Sequence, residues 1–114
     1  LIEAYSFGFI KIDGREFRKD LIILPDGSVH HPWWRRSGHR LTLADLEPVL
    51  AASPDSMVVG SGAYGRMKAA PGLEEELAGR GIEVEMLPTE QAVERFNTLV
   101  SSGAMAVACL HLTC

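Results

Sequence analysis

Met57-Val-Val-Gly-Ser-Gly-Ala-Tyr-Gly65 is a short apolar run that opens into glycines. Met57, Val58 and Val59 read as a buried strand, and Gly60, Gly62 and Gly65 fit the spacing G-x-G-x-x-G. In a dinucleotide-binding unit that spacing holds a phosphate against a helix N-terminus. Two features argue against such a unit here. Arg66 to Pro71 stands between the third glycine and the next helical residues, where the helix should begin at once. The acidic residue expected about 20 positions on would be Glu83 or Glu85, and both alternate outward within a strand. The loop is therefore read as a tight turn over a sheet, and no cofactor is assigned.

Downstream of this stretch, strand and helix patterns alternate. Ser56 to Gly60 is a strand, and Gly72 to Arg80 is a short acidic helix with Pro71 near its first turn and Gly81 at its C′ position. Ile82 to Leu87 is the next strand. Pro88-Thr89 opens a helix to Ser102, ended by Gly103, with Ala92, Val93, Phe96, Leu99 and Val100 on one buried face. Asn97 sits at the edge of that face, placed to tie the helix to a neighbouring loop by hydrogen bonds. Ala104 to Leu112 is almost wholly apolar, as a central strand covered on both faces would be. The order β-α-β-α-β predicts a mostly parallel sheet with right-handed crossovers.

Upstream the grammar is antiparallel. Tyr5, Phe7 and Phe9 alternate as in a half-buried strand, Asp13-Gly14 supplies a hairpin turn, and Glu16 to Leu24 is the return strand. Pro25-Asp26-Gly27 turns the chain into a third strand, Ser28 to Trp33. Thr42-Leu-Ala-Asp45 has the form of a helix start, followed by the apolar stripe Leu43, Leu46, Val49 and Leu50. Pro48 predicts a kink or a later start. The reading is a single α/β domain over 1–114, with an N-terminal antiparallel meander before the β-α-β-α-β sheet.

Charge narrows the function classes. Residues 1–40 carry seven Lys/Arg against five Asp/Glu, and residues 41–114 carry four against ten, for a net charge of −4. Phosphate contacts need concentrated positive charge, so no general nucleic-acid binding is expected; only Trp33 to Arg40 has the composition for it. No apolar run approaches the roughly 20 residues that span a bilayer, which argues against membrane insertion. Cys109 and Cys114 are too few for a disulfide framework, and a reducing, cytoplasmic location with free thiols is expected.

Ligands of open α/β sheets bind beyond the carboxyl ends of the strands. Two loops share that edge, the glycine loop and Pro88-Thr89-Glu90, and between them Gly60, Ser61, Gly62, Tyr64, Arg66, Thr89, Glu90 and Gln91 form a candidate cleft for a small anionic ligand. If the last strand is parallel to these two, His111 and Thr113 approach the same rim. His111 and Cys109 share a face with Val107, about 6.6 Å apart at Cα, which favours packing over a Cys–His nucleophile pair. His30 and His31 point to opposite faces, and no His-x-x-x-His or Cys-x-x-Cys spacing appears, so no metal site is assigned. Trp33, Trp34, Arg35 and Arg36 admit stacking and phosphate contacts. They read better as a contact surface for a protein partner, since exposed aromatics and Arg enrich interfaces.

Glu85-Met-Leu-Pro-Thr-Glu-Gln-Ala-Val-Glu-Arg-Phe-Asn-Thr-Leu-Val100, with Val59-Gly-Ser-Gly62, Trp34 and His111-Leu-Thr-Cys114, resembles the adipogenesis-associated domain family. That family also includes the mitochondrial respiratory complex I assembly factor three and many small prokaryotic proteins. The resemblance covers nearly the whole chain, and Thr89-Glu-Gln-Ala-Val followed by Phe96-Asn97 and Leu99 is its most specific part. It implies a three-layer α/β fold with an added antiparallel layer, no established enzymatic activity, and assembly or regulatory roles among eukaryotic members. The preferred reading is a non-catalytic interaction module with an unidentified protein partner and no catalytic residue. The alternative is a small-molecule or anion-binding protein, an enzyme included, using the cleft between the glycine loop and Thr89.

Overall fold

The computed structural model describes residues 1–114. Ile2–Ser6 (β1), Phe9–Ile12 (β2) and Arg15–Phe17 (β3) pair antiparallel in that order, forming the expected meander as a small sheet of its own. Asp13 and Gly14 both have positive φ, as the tight hairpin turn requires. A second hairpin turn at Phe7-Gly8 divides the strand expected through Tyr5, Phe7 and Phe9. The aromatic alternation continues across the turn, but Phe7 lies at its tip and is exposed.

The strand expected from Glu16 to Leu24 also divides, at Arg18 to Asp20. Leu21–Ile23 (β4) leaves the small sheet and joins the main one. After the Pro25-Asp26-Gly27 turn, Val29–His30 (β5) pairs back antiparallel. Pairing stops short of Trp33 because Pro32 offers no N–H. Arg40–Leu41 (β6) precedes a 3₁₀ turn, Leu43–Leu46, whose start is held by the Thr42 N–H and hydroxyl, both donating to Asp45 Oδ2 at 2.9 Å. The α-helix proper, Glu47–Ala52 (α1), begins around Pro48, which is the later start that proline predicts.

The remaining elements are Ser56–Ser61 (β7), Lys68–Ala69 (β8), Leu73–Gly79 (α2), Glu83–Leu87 (β9), Thr89–Ser101 (α3) and Ala106–His111 (β10). The segment Arg66 to Pro71 contains β8, a two-residue partner of β6. Gly81 ends α2 with φ +81°: its N–H donates to Ala78 O and that of Ile82 to Leu77 O, so two otherwise orphaned carbonyls are paired.

The main sheet has the order β5-β4-β10-β7-β9, with β10, β7 and β9 parallel to one another, β4 antiparallel to β10, and β5 antiparallel to β4. All six residues of β10 are buried, as expected for the strand covered on both faces. Val58, Ala108 and Leu110 face α3, through Ala92 and Phe96, and the small sheet, through Ile10 and Phe17. Met57, Val59, Val107 and Cys109 face Val49, Leu77, Trp33, Leu41 and Met67 on the other side. The chain steps outward from β7 to β9 past α2 and returns to β10 past α3, so the helices cover opposite faces. Their connections diverge where β7 and β9 end. Asn97 ties α3 to β1: its Oδ1 accepts from Ile2 N–H at 2.9 Å and its Nδ2 donates to Ile2 O at 2.8 Å. No helix is long and apolar enough to cross a membrane.

Candidate functional site

Parallel register puts the ends of β7, β9 and β10 side by side, with Ser61 opposite His111 and Gly60 opposite Leu87. Thr89, the first residue of α3, plugs this edge. Its side chain is fully buried; its hydroxyl donates to His111 O at 2.6 Å and accepts the Gly62 N–H at 2.9 Å, and its own N–H donates to Gly62 O at 3.1 Å. A Cβ on Gly60 would stand 2.9 Å from Thr89 Oγ1, so glycine there makes room for this side chain. The glycine loop and the helix start are thus joined by Thr89, and no cleft separates them at that point. Gly60, Ser61, Gly62 and Thr89 are interior, and Ser61 donates to Leu87 O; Tyr64, Arg66, Glu90 and Gln91 are exposed around them.

A cluster that sequence reasoning did not assemble lies beside Thr89. Asp20, at the break before β4, accepts from the Leu112 N–H through Oδ1 at 2.8 Å. Its Oδ2 lies 2.8 Å from Arg35 Nη2 and 2.7 Å from His111 Nδ1. Arg35 Nη2 also lies 3.2 Å from His111 Nδ1. An arginine only donates and a carboxylate only accepts, so the shorter contact decides the tautomer: Nδ1 carries the proton and donates to Asp20. Arg35 Nε and Nη2 further donate to Gly38 O, its guanidinium stacks over the Trp33 ring at 4.7 Å, and the His39 ring meets that of His111 edge-on at 5.9 Å. Two buried atoms in this cluster have no partner in the protein, Arg35 Nη1 and His111 Nε2.

Burial alone would raise the Asp20 carboxyl, but hydrogen bonds from His111, the Leu112 N–H and Arg35 outweigh it and hold it below the usual carboxylate range. Burial pushes the Cys109 thiol well up, opposed only by the Arg35 charge, so the sulfur is no nucleophile. Both cysteines are free. No group of three or more His, Cys, Asp and Glu side chains converges as a metal cage would require.

The Trp33 to Arg36 surface needs correction. Trp33 is 3% exposed and its indole N–H donates to Asp45 O at 2.9 Å, so it is core. The Arg35 side chain is 5% exposed and belongs to the Asp20 cluster. Trp34, 73% exposed with Lys19 over its ring, and Arg36 remain at the surface. Phe7 and Tyr64 are also exposed, their rings 6.3 Å apart, with Arg66 over Tyr64. Phe7 and Tyr64 meet beyond the end of β10, where Gly8 N–H bonds Leu112 O and Ala63 N–H bonds Thr113 O, whereas Trp34 follows Trp33, whose N–H bonds Asp20 O, and lines a separate groove with His30, Pro48 and Ala51.

The mixed, three-layered sheet with its own antiparallel appendage is shared with solved structures, and the sequence matches a family along nearly all its length. The chain belongs to the family described as protein of unknown function (DUF498/DUF598), which matches residues 2–111. It is 31% identical to the conserved hypothetical protein PH1505 from Pyrococcus horikoshii OT3, with a TM-score of 0.84 over 100% of this chain and 99% of that one. It is 30% identical to the protein MT938, with a TM-score of 0.84 over 100% of this chain and 98% of that one. A Bordetella pertussis protein described as a Mth938-like domain shares the fold at 22% identity, with a TM-score of 0.75 over 98% and 85%.

Proposed function

We propose that this domain is a non-catalytic protein-interaction module of the assembly or regulatory kind, and that it contacts its partner through the carboxyl edge of the parallel strands. One observation carries the reading: Phe7 and Tyr64 are exposed in contact with each other at that edge, Trp34 is exposed as well, and Tyr64 and Trp34 each lie beneath a cation. Large aromatics flanked by arginine are what protein interfaces enrich, and a soluble surface otherwise keeps them scattered. Arg36 and Arg66 supply the polar rim. The resemblance to the adipogenesis-associated family supports the same reading by analogy, since it implies assembly or regulatory roles among eukaryotic members and no established enzymatic activity. A cytoplasmic location fits a chain with two free thiols.

The test compares affinity capture from host lysate by the wild-type chain and by Trp34→Ser/Tyr64→Ser. Both side chains are exposed, so folding stability should change little. A protein retained by the wild type and lost by the double variant supports the reading. Identical sets of retained proteins contradict it.

A further inference from the structure

The two edges of the main sheet are unlike. β5 closes one with two residues and has Pro32 close behind, so it offers little to pair with. β9 ends the other with five residues, contains no proline, and has no strand on its outer side. Glu83 N–H donates to Asp55 O, which in a parallel ladder turns the backbone groups of Glu83, Glu85 and Leu87 toward β7. The N–H and C=O groups of Val84 and Met86 therefore point outward. A groove of about 590 Å³ lies along this strand, lined by Glu74 and Ala78 of α2 and by Arg95 and Leu99 of α3.

Charge and register select the occupant. Residues 74–95 hold seven Glu and two Arg, net −5, in a chain whose total is −4. Arg80 pairs with Glu76, and Arg95 with Glu85 at 2.7 Å, so Glu74 and Glu83 line the groove without a cationic partner. A second copy of the chain fits badly in each antiparallel register. Self-pairing about Glu85 sets the two Glu85 side chains face to face, and pairing about Val84 sets Glu83 against Glu85 twice. Pairing about Met86 brings Pro88 opposite Val84, with no N–H to give. A basic strand meets none of these obstacles.

We propose that the outer edge of β9 is a docking site for an extended basic segment of a partner protein, which joins the main sheet as a sixth strand. Backbone bonds to Val84 and Met86 hold the segment, and Lys or Arg at alternate positions meet Glu83 and Glu85 on the α3 side. The residues between them lie on the α2 side, against the half-buried Val84 and Met86 and beside Glu74. This surface is separate from the exposed aromatics, and either contact can fail without the other.

The probe is a short synthetic peptide alternating Lys and Val, added to the wild-type chain at low ionic strength and followed by amide NMR. In the free chain the Val84 and Met86 amides should exchange with solvent faster than those of Glu83, Glu85 and Leu87. The peptide should shift Val84 and Met86 saturably and slow their exchange. Only one alternate set of its own amides faces β9, so N-methylating that set should abolish binding and methylating the other should leave it. Glu83→Lys, at an exposed position, should weaken the peptide by about fivefold and favour its counterpart with Glu in place of Lys. Equal loss from both methylated sets would reduce the contact to charge alone and overturn strand addition. Val84 and Met86 amides unmoved at millimolar peptide would overturn it too. Shifts there that follow protein concentration without peptide would assign the edge to a second copy, against the proposal.

Discussion

Asp20 and His111 stand 91 positions apart, yet Asp20 Oδ2 and His111 Nδ1 are 2.7 Å from each other. One ends the linker that separates the small sheet from the large one, and the other ends the central strand β10. The contact therefore fastens the antiparallel part of the chain to the parallel part.

Because Asp20 is held below the usual carboxylate range, its ionised form stabilises the folded chain. The sign follows from linkage: that stability is fully present above the unfolded value, near pH 3.9, and is lost as pH falls through the lower folded value. Asp20→Asn leaves Arg35 buried without its counter-charge and should cost about 3 kcal/mol near neutrality. Urea denaturation at several pH values checks this, with the difference from wild type shrinking in acid. A pH-independent difference would contradict it.

Thr89 offers a separation of hydroxyl from shape. Thr89→Val keeps the volume but strands the Gly62 N–H and the His111 carbonyl, and should cost about 2–4 kcal/mol. Thr89→Ser keeps both hydrogen bonds and should cost only about 1 kcal/mol for the lost methyl. Thermal or urea unfolding of the pair reads the order directly.

Gly60 is fixed by crowding. Gly60→Ala would set a methyl 2.9 Å from Thr89 Oγ1 and 3.0 Å from Leu110 Cδ2, with an expected loss of about 1–3 kcal/mol. Gly62→Ala meets the His111 ring and the Thr113 carbonyl at 2.9 Å and adds a φ of +103°, so it should be the worse of the two. Urea midpoints of the two variants rank them.

Native thiol reactivity should divide the cysteines. Cys109 is buried with a raised pKa, and Cys114 is only half-buried. An aromatic disulfide reagent should label Cys114 alone in native protein and both after denaturation. Equal native rates would place Cys109 nearer solvent than the fold allows.

Periodicity makes the C-terminal half readable. The apolar face of α3, the continuous apolar run of β10 and the glycines after α2 and α3 each state a local rule, and packing agrees with them except at Val100 and Met105, which lie near the ends of their elements and are exposed. The Phe7-Gly8 turn escapes such rules because aromatic alternation runs on through the hairpin tip. The β6–β8 ladder escapes because two residues carry no period. Trp33 and Arg35 read as surface because adjacency in sequence joins them to Trp34 and Arg36, whereas the chain turns alternate side chains inward. The Asp20 cluster has no motif, since its members are brought together only by tertiary structure. Its one trace is a pair of polar residues bordering apolar runs, Asp20 before Leu21 to Leu24 and His111 within Ala104 to Leu112. A polar group at the rim of a buried strand needs a partner, and asking which one would have linked them.

Site-specific photo-cross-linking in host cells tests the interaction edge most directly. A benzophenone side chain at position 7 or 64 samples the carboxyl edge, and one at position 105, exposed before β10, samples the opposite end. The proposed edge predicts the same discrete cross-linked protein from positions 7 and 64 and none from 105. A partner captured at 105 and absent at 7 and 64 would contradict it.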